Sequence, residues 1–204
     1  MNPLCRCKYD KPFSQSCENN KQAILNVLTV EFSHAQQVLE IGTGSAQHAV
    51  HFAAKLPHLT WKTSDLACNH AGIDTWLDSV NLANLQRPLL LDLNQDWPID
   101  NVDGIFTANT LHIVGWPLVK RFFQGAGKHL VSGGKLCIYG PFNYGGLFTS
   151  PSNANFDVWL KNIDSERGIR DIDAINQLAN AQNLTLTADH IMPANNRLLV
   201  FVKS

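Results

Sequence analysis

Apolar and polar positions along this chain fall into blocks that predict strands and helices in alternation. Residues 102–108 form a nearly continuous apolar run, which is typical of a buried parallel strand. Residues 45–56 instead carry apolar side chains at helical spacing. The predicted strands are 38–41, 59–64, 88–91, 102–108 and 135–139, and the predicted helices are 17–32, 45–56, 70–82, 117–130, about 153–162 and 171–182.

The end of the chain has a different pattern. Strands are also predicted over residues 184–192 and 197–202, and only residues 193–196 connect them. Four residues are too few for a helical crossover, so this pair is predicted to be antiparallel. The chain therefore predicts five parallel strands closed by an antiparallel hairpin, whereas an ordinary dinucleotide-binding domain ends in a sixth parallel strand.

Composition narrows the functional classes. At 204 residues, the length favours a single domain over 17–204, preceded by an irregular segment over 1–16. The net charge of −1 and the scattered basic residues do not favour a nucleic-acid partner. No apolar run predicts a leader or a membrane span, and five irregularly spaced cysteines predict free thiols in the cytoplasm. No cluster with the spacing of metal ligands is present in the sequence, and nothing in it predicts an oligomeric state.

The loop after the first predicted strand carries the clearest chemistry. Glu40 ends that strand, and Gly42 and Gly44 follow it before a helix begins. Such a strand, tight loop and helix bring bare backbone against a nucleotide-like cofactor. A carboxylate at Glu40 would repel a pyrophosphate and would suit a cationic cofactor. Asp65, 21 residues after Gly44, ends the second strand and is predicted to accept both hydroxyl groups of a ribose.

The pattern Glu40-x-Gly42-x-Gly44 resembles motif I of the class I S-adenosylmethionine (SAM) dependent methyltransferases. The resemblance extends from about residue 11 to the end of the chain. It narrows to one methyltransferase-like family classed as a domain of unknown function, in which Ala and Gly usually stand where this chain has Gly42 and Ala46. The segments that carry it are 14–20, 47–49, 109–116, 139–142 (Tyr-Gly-Pro-Phe), 148–157, 168–171 and 192–196 (Met-Pro-Ala-Asn-Asn).

This resemblance implies a three-layer Rossmann-like fold with a mostly parallel seven-stranded sheet and a C-terminal antiparallel hairpin. It implies SAM as the cofactor and a small molecule as the methyl acceptor. Asp92 and Leu93, after the third strand, are then expected near the adenine, and Asn109, after the fourth, near the methionine portion.

His112 lies where this fold faces the substrate, and it is our candidate general base because imidazole titrates near neutral pH. The resemblance also places an acceptor pocket between the loop 140–152 and the final hairpin. The residues that we expect in it are Trp116, Phe142, Asn143, Tyr144, Asn153, Arg170 and Asn195.

Two other functions stay open at this point. One is a protein that binds SAM without catalysing transfer. The other is a nicotinamide-dependent oxidoreductase, which would need a third glycine where this chain has Gln47.

Overall fold

The computed structural model describes residues 11–204. Nine strands and six α-helices alternate along this part of the chain. The strands are β1 (Gln37–Ile41), β2 (Thr60–Asp65), β3 (Leu85–Leu90), β4 (Val102–Ala108), β5 (Leu130–Gly140), β6 (Phe142–Asn143), β7 (Arg170–Asp171), β8 (Leu184–Met192) and β9 (Asn196–Lys203). The helices are α1 (Gln15–Glu31), α2 (Gln47–Lys55), α3 (Ala67–Asp78), α4 (Trp116–His129), α5 (Pro151–Ile163) and α6 (Ile172–Asn180).

Seven strands form one sheet in the order β3-β2-β1-β4-β5-β9-β8. The strands β1 to β5 are parallel to one another, while β9 lies antiparallel between β5 and β8. The predicted mostly parallel sheet with an antiparallel C-terminal hairpin is therefore confirmed. The order reverses between β1 and β4, which is where an open α/β sheet forms a crevice beyond its carboxyl ends.

Two apolar layers enclose the sheet. On one face, Phe122 and Phe123 of α4 and Ile175 of α6 pack against inward residues of the central strands. On the other face, Ile24 of α1 and Phe52 of α2 are fully buried in a second cluster. Alternate residues of β5 serve opposite faces, as the period of two in a strand requires. The result is the expected three-layer arrangement.

Several element boundaries differ from the sequence predictions. Helix α1 begins at Gln15, because the side chain of Ser14 caps it by accepting from the backbone N–H of Cys17. Strand β3 covers Leu85–Leu90 and β5 starts directly at Leu130, whereas we predicted strands over 88–91 and 135–139. The predicted loop after β5 contains β6, which pairs with β7. Residues 1–10 of the predicted irregular segment lie outside the described residues.

Within 11–204, no helix combines the length and the apolar character that crossing a membrane demands. Cys17, Cys68 and Cys137 are free thiols.

Candidate active site

The loop between β1 and α2 is fixed by its neighbours at both ends. Gly42 and Gly44 adopt left-handed backbone, with φ of +71° and +59°. A Cβ at Gly42 would lie 2.9 Å from the hydroxyl of Thr110, so the β4 end leaves no room for a side chain there. The N–H groups of Gly42 and Thr43 both donate to the carbonyl of Ser64. In this chain, both the left-handed backbone and the contact with Thr110 therefore favour glycine at position 42.

Ala46 completes this loop in a left-handed conformation, with φ of +62°. Left-handed backbone is costly for a residue with a Cβ, so this position would favour glycine. The Cβ of Ala46 is fully buried against Ile73 and Leu77 of α3. Burial of this methyl group offsets part of the backbone strain.

Asp65 holds the loop from the end of β2. Its Oδ2 accepts from the N–H of Gly44 at 2.7 Å. Its Oδ1 accepts from the N–H of Leu66 and from Nδ2 of Asn69, both at 2.7 Å. A carboxylate has about four acceptor positions, so roughly one remains after these three bonds. Asp65 therefore has room for one ligand hydroxyl, whereas we predicted that this carboxylate alone would accept both hydroxyls of a ribose.

Glu40 lies beneath the loop and outside the cavity above it. Only 2% of the residue is exposed, and its carboxyl accepts from Nε1 of Trp61 at 3.1 Å and from Oγ1 of Thr43 at 3.2 Å. Burial raises the pKa of Glu40 to about 8, although these two hydrogen bonds oppose the shift. We predicted Glu40 as a cofactor contact, but the strand alternation turns it inward, and it supports the loop from below.

A cavity of about 420 Å³ opens directly above the loop, and we call it the glycine-loop cavity. This size lies within the range of small-molecule sites. Six of the seven predicted cofactor residues line it, and Glu40 is the exception. The six are Gly42, Gly44, Asp65, Asp92, Leu93 and Asn109.

The glycine-loop cavity is lined by both polar and apolar residues. Leu66, Leu91 and Val114 are among the apolar ones. The carboxylates of Asp65 and Asp92 line the cavity, and no lysine or arginine within the described chain does so. This charge pattern favours a cationic ligand and opposes a pyrophosphate. Asp65 and Asp92, and not Glu40, therefore place negative charge where it would suit a cationic cofactor.

A second cavity of about 500 Å³ adjoins the first, and we call it the histidine cavity. The two share three lining residues, namely Ser14, Asn109 and Ile113. Asn109 follows β4 in a left-handed conformation with φ of +58°, and its N–H donates to the carbonyl of Tyr139 at the end of β5. The strand ends thus place Asn109 on the border between the cavities.

His112 lines the histidine cavity and is 6% exposed. Burial, and then the nearby guanidinium of Arg170, lower the pKa of His112 to about 4, so the imidazole is neutral at pH 7. Its ring packs edge-on against Phe156 of α5, with 5.4 Å between the ring centroids. The backbone carbonyl of His112 accepts from the N–H of Gly168 at 3.0 Å. The ring is therefore positioned and is able to accept a proton.

Arg170 and Trp116 do not line either cavity. The Arg170 guanidinium donates to the backbone carbonyls of Leu111, Val114 and Glu166, and it lies 5.7 Å from the ring of Trp116. These contacts hold the loop that carries His112. We predicted both residues in the acceptor pocket, and the structure instead gives them a supporting position behind it.

Of the other predicted pocket residues, only Asn153 lines the histidine cavity. Phe142 is 1% exposed within the core, and Asn143 beside it is also buried. The hydroxyl of Tyr144 donates to Asp189 at 2.7 Å, away from the cavities. Asn195 contributes a backbone carbonyl that accepts from Nδ2 of Asn153 at 3.1 Å, and Asn153 lines the histidine cavity. The chain after β5 turns back over the sheet and so carries 142–144 out of reach.

Helix α1 and its N-cap contribute to both cavities. Ser14 and Cys17 line the glycine-loop cavity, while Asn19 and Asn20 line the histidine cavity. Oδ1 of Asn20 lies 2.6 Å from Nε2 of the buried His48 on α2. Polar residues on the otherwise apolar face of α1 are the signal that would have identified this wall.

The strand order, the glycine loop after β1 and the acidic residues after β2 and β3 define a class I methyltransferase-like fold. The chain belongs to the family described as "Protein of unknown function (DUF938)", which it matches over residues 11–203. Membership of this family does not by itself assign an activity.

Several solved methyltransferase structures share this fold. An O-methyltransferase family 2 protein from Planctomyces limnophilus, in complex with apigenin, has a TM-score of 0.82 and 18% identity over 93% of this chain and 58% of its own. An O-methyltransferase family protein from Burkholderia thailandensis has a TM-score of 0.79 and 15% identity, over 90% and 56%. Human N-acetylserotonin methyltransferase, in complex with SAM, has a TM-score of 0.70 and 13% identity, over 90% and 55%. The chain therefore spans little more than half the length of these proteins.

Proposed function

We propose that this protein transfers a methyl group from SAM to a small-molecule acceptor. The observation that carries the proposal is the contact between the two cavities. One has the glycine loop and two carboxylates, the other has His112, and Asn109 stands at their border. A donor and an acceptor held in adjoining cavities meet without diffusing, which is a large part of the rate in such transfers.

The glycine-loop cavity fits SAM in charge and in shape. SAM carries an adenosine, an amino-acid portion and a sulfonium, and it supplies an electrophilic methyl group when bound. Apolar lining residues such as Leu66 and Leu91 suit the adenine, and the aspartates suit the positive charges. A Cβ at Gly44 would have only the carbonyl of Gly42 within 4 Å, at 3.9 Å, so the loop offers open backbone to a ligand.

Asp65 and Asn69 together are the ribose site in this proposal. Asp65 has about one acceptor position left, and Asn69, which donates to it, also lines the cavity and has an amide oxygen that can accept. The pair therefore accepts the two ribose hydroxyls that Asp65 alone does not accommodate.

His112 is the proton acceptor in this proposal. The acceptor oxygen forms a bond to the methyl carbon while the sulfur keeps the electron pair of the broken bond, and the hydroxyl proton passes to the imidazole. A neutral ring in the histidine cavity is ready for that step. Because its pKa is low, His112 suits an acidic hydroxyl such as a phenol better than an aliphatic alcohol.

The neighbouring structures support a small molecule as the acceptor, since one of them holds apigenin. The carboxylates in the glycine-loop cavity argue against a nicotinamide dinucleotide, whose pyrophosphate they would repel. We keep the cytoplasm as the proposed location.

Calorimetric titration of the purified protein with SAM, S-adenosylhomocysteine and NAD tests the cofactor assignment. We expect saturable binding of the first two and none of NAD. Incubation with SAM and a panel of hydroxylated acceptors then tests transfer, with S-adenosylhomocysteine as the measured product. Binding without transfer to any acceptor would favour the non-catalytic SAM-binding protein, and absence of binding would refute the whole proposal.

A further inference from the structure

The histidine cavity is lined by uncharged side chains throughout the described residues. Its polar members are amides, hydroxyls and the neutral His112. Charged groups near the cavity are engaged elsewhere. Arg170 donates to backbone carbonyls, and the buried Asp157 accepts from the N–H of Ile169 and pairs with Lys161. An ionised ligand group would thus lose its hydration in this cavity without gaining a partner, which is costly.

Asn153 leaves one atom for a ligand. It is 5% exposed, and its Nδ2 donates both hydrogens, to Oγ1 of Thr149 at 2.9 Å and to the carbonyl of Asn195 at 3.1 Å. Its backbone N–H donates to Oγ of Ser150 at 3.1 Å, which fixes the start of α5. Only the carbonyl oxygen of the side chain is then left, and it accepts hydrogen bonds.

His112 adds a second acceptor. The residue is 6% exposed, and its ring makes no hydrogen bond to any residue within 11–204. Its nitrogens are not among the unpartnered side-chain atoms that are sealed from solvent, so a ligand in the cavity can reach them. A neutral imidazole has one nitrogen that accepts.

Flat apolar surfaces enclose these polar atoms. Phe156 lines the cavity and stacks on Trp159, with 5.7 Å between the centroids and 16° between the planes. Ile113, Pro141 and Pro193 form further apolar parts of the wall. Such surfaces suit the faces of a ring whose edge carries the polar groups.

We propose that the methyl acceptor is an uncharged ring compound that carries hydroxyl groups, and that Asn153 and His112 recognise it as hydrogen-bond acceptors. This inference rests on the proposed function, since it names the substrate class of the same site. Asn153 acts in it as a specificity-determining residue.

Two probes of equal shape test the role of charge. 3,4-Dihydroxybenzamide is uncharged, and 3,4-dihydroxybenzoate is ionised at neutral pH. Calorimetry or ligand-observed NMR measures the binding of each to the protein saturated with S-adenosylhomocysteine. We expect the amide to bind at least about tenfold more tightly, equivalent to about 1.4 kcal/mol. Equal or tighter binding of the benzoate would overturn the inference, and so would binding of neither.

Two single variants test whether Asn153 contributes to binding of the amide probe. Asn153→Ala should weaken binding of the amide about fivefold or more, since a lost hydrogen bond costs about 1 kcal/mol or more. Asn155→Ala is the matched control, because Asn155 lies on the same helix, exposed and outside the cavity. An unchanged affinity in a folded Asn153→Ala protein would remove Asn153 from the recognition site.

Ser16→Lys tests the charge argument independently of folding of the core. Ser16 lines the cavity from the exposed start of α1. A lysine there should narrow the difference between benzoate and benzamide, and an unchanged difference would contradict the argument. Binding of S-adenosylhomocysteine, measured first in every variant, separates failure of this inference from failure of the proposed function.

Discussion

The glycine-loop cavity and the histidine cavity share a wall, yet they are built differently. The first is formed largely by residues that directly follow β1, β2, β3 and β4, and it has two carboxylates. The second draws on α1, the β4 end, the β5 end, α5 and the final hairpin, and it has no charged side chain among the described residues. Backbone and charge thus dominate one cavity, and amides and apolar surfaces dominate the other.

This difference has a functional meaning. A site made from strand ends and a tight loop is rigid, and it suits a ligand that stays the same across a fold class. A site assembled from five separate segments changes whenever one of them changes. In the proposed function, the donor site is therefore formed by the strand ends of the fold, and the acceptor site by the helices and loops added to it.

The largest expected effect is that a change at His112 slows methyl transfer and leaves SAM binding nearly unchanged. His112→Ala should slow transfer to 3,4-dihydroxybenzamide by about 10²–10⁴-fold, the usual contribution of a general base. Binding of SAM should stay within about twofold of wild type. S-Adenosylhomocysteine formation measures the rate, and His34→Ala, at an exposed position, is the control. A full rate in the His112→Ala protein would leave His112 as part of the wall only.

A change at Asp65 should act on the other cavity and weaken SAM binding. Asp65→Ala removes the bonds to Gly44, Leu66 and Asn69 together with the ligand contact, and it should weaken SAM binding by about 1–3 kcal/mol. Calorimetry measures the loss, and Asp65→Asn, which keeps one acceptor oxygen, should lose less. The control Asp96→Ala changes an exposed side chain. Wild-type affinity in a folded Asp65→Ala protein would contradict the ribose assignment.

Glu40 supports the glycine loop from below, and its ionisation should change the stability of the folded protein. Its pKa is about 8 in the folded protein and near 4.5 when unfolded, so between these values only the folded state holds the proton. Its contribution to stability is complete below pH 4.5 and is lost as the pH rises to 8, by about 1.4 kcal/mol per pH unit.

Urea denaturation at pH 6.5 and 7.5 measures this slope. His48 and His112 act in the opposite direction at the lower pH, because their pKa is about 4 in the fold and their unfolded imidazoles titrate near 6.5. This contribution is common to wild type and Glu40→Gln, so the difference between their two slopes isolates Glu40. Glu40→Gln should remove the part of the slope in which stability falls as the pH rises. The same slope in both proteins would show that Glu40 is not the responsible group.

The smallest effect compares two glycines with similar backbone. Gly44 and Gly133 have φ of +59° and +77°, and a Cβ at Gly133 would meet nothing within 4 Å. Gly44→Ala and Gly133→Ala should each lose about 1 kcal/mol of stability from left-handed strain. Only Gly44→Ala should also weaken SAM binding, because only Gly44 lines a cavity. Equal SAM affinities in the two variants would count against open backbone as the contact surface.

The sequence predicted the sheet and most of the glycine-loop cavity because both depend on local patterns. Apolar runs locate β1, β2 and β4, and the residue after a parallel strand must lie at the crevice, which places Asp65 and Asn109 correctly. Glu40 shows the limit, since a strand residue points up or down according to alternation that a motif does not specify. Its inward position depends on the partner Trp61, 21 residues away.

The histidine cavity was predicted poorly because its residues meet only through tertiary packing. His112 and Asn153 were found, whereas Arg170 and Tyr144 bind other parts of the protein. Tyr139 was missed, since nothing nearby in sequence distinguishes a cavity-lining tyrosine from one in the core. The signal that the sequence does contain is a set of polar residues on the otherwise apolar face of α1.

The border formed by Ser14, Asn109 and Ile113 also has a practical consequence for inhibitor design. A single compound that joins an adenosine fragment to a hydroxylated ring would cross this border and occupy the glycine-loop cavity and the histidine cavity at once. Because the second fragment is tethered, its attachment gains from a high effective concentration. Such a conjugate should bind this protein far more tightly than either half, with the linker length reporting the gap between them.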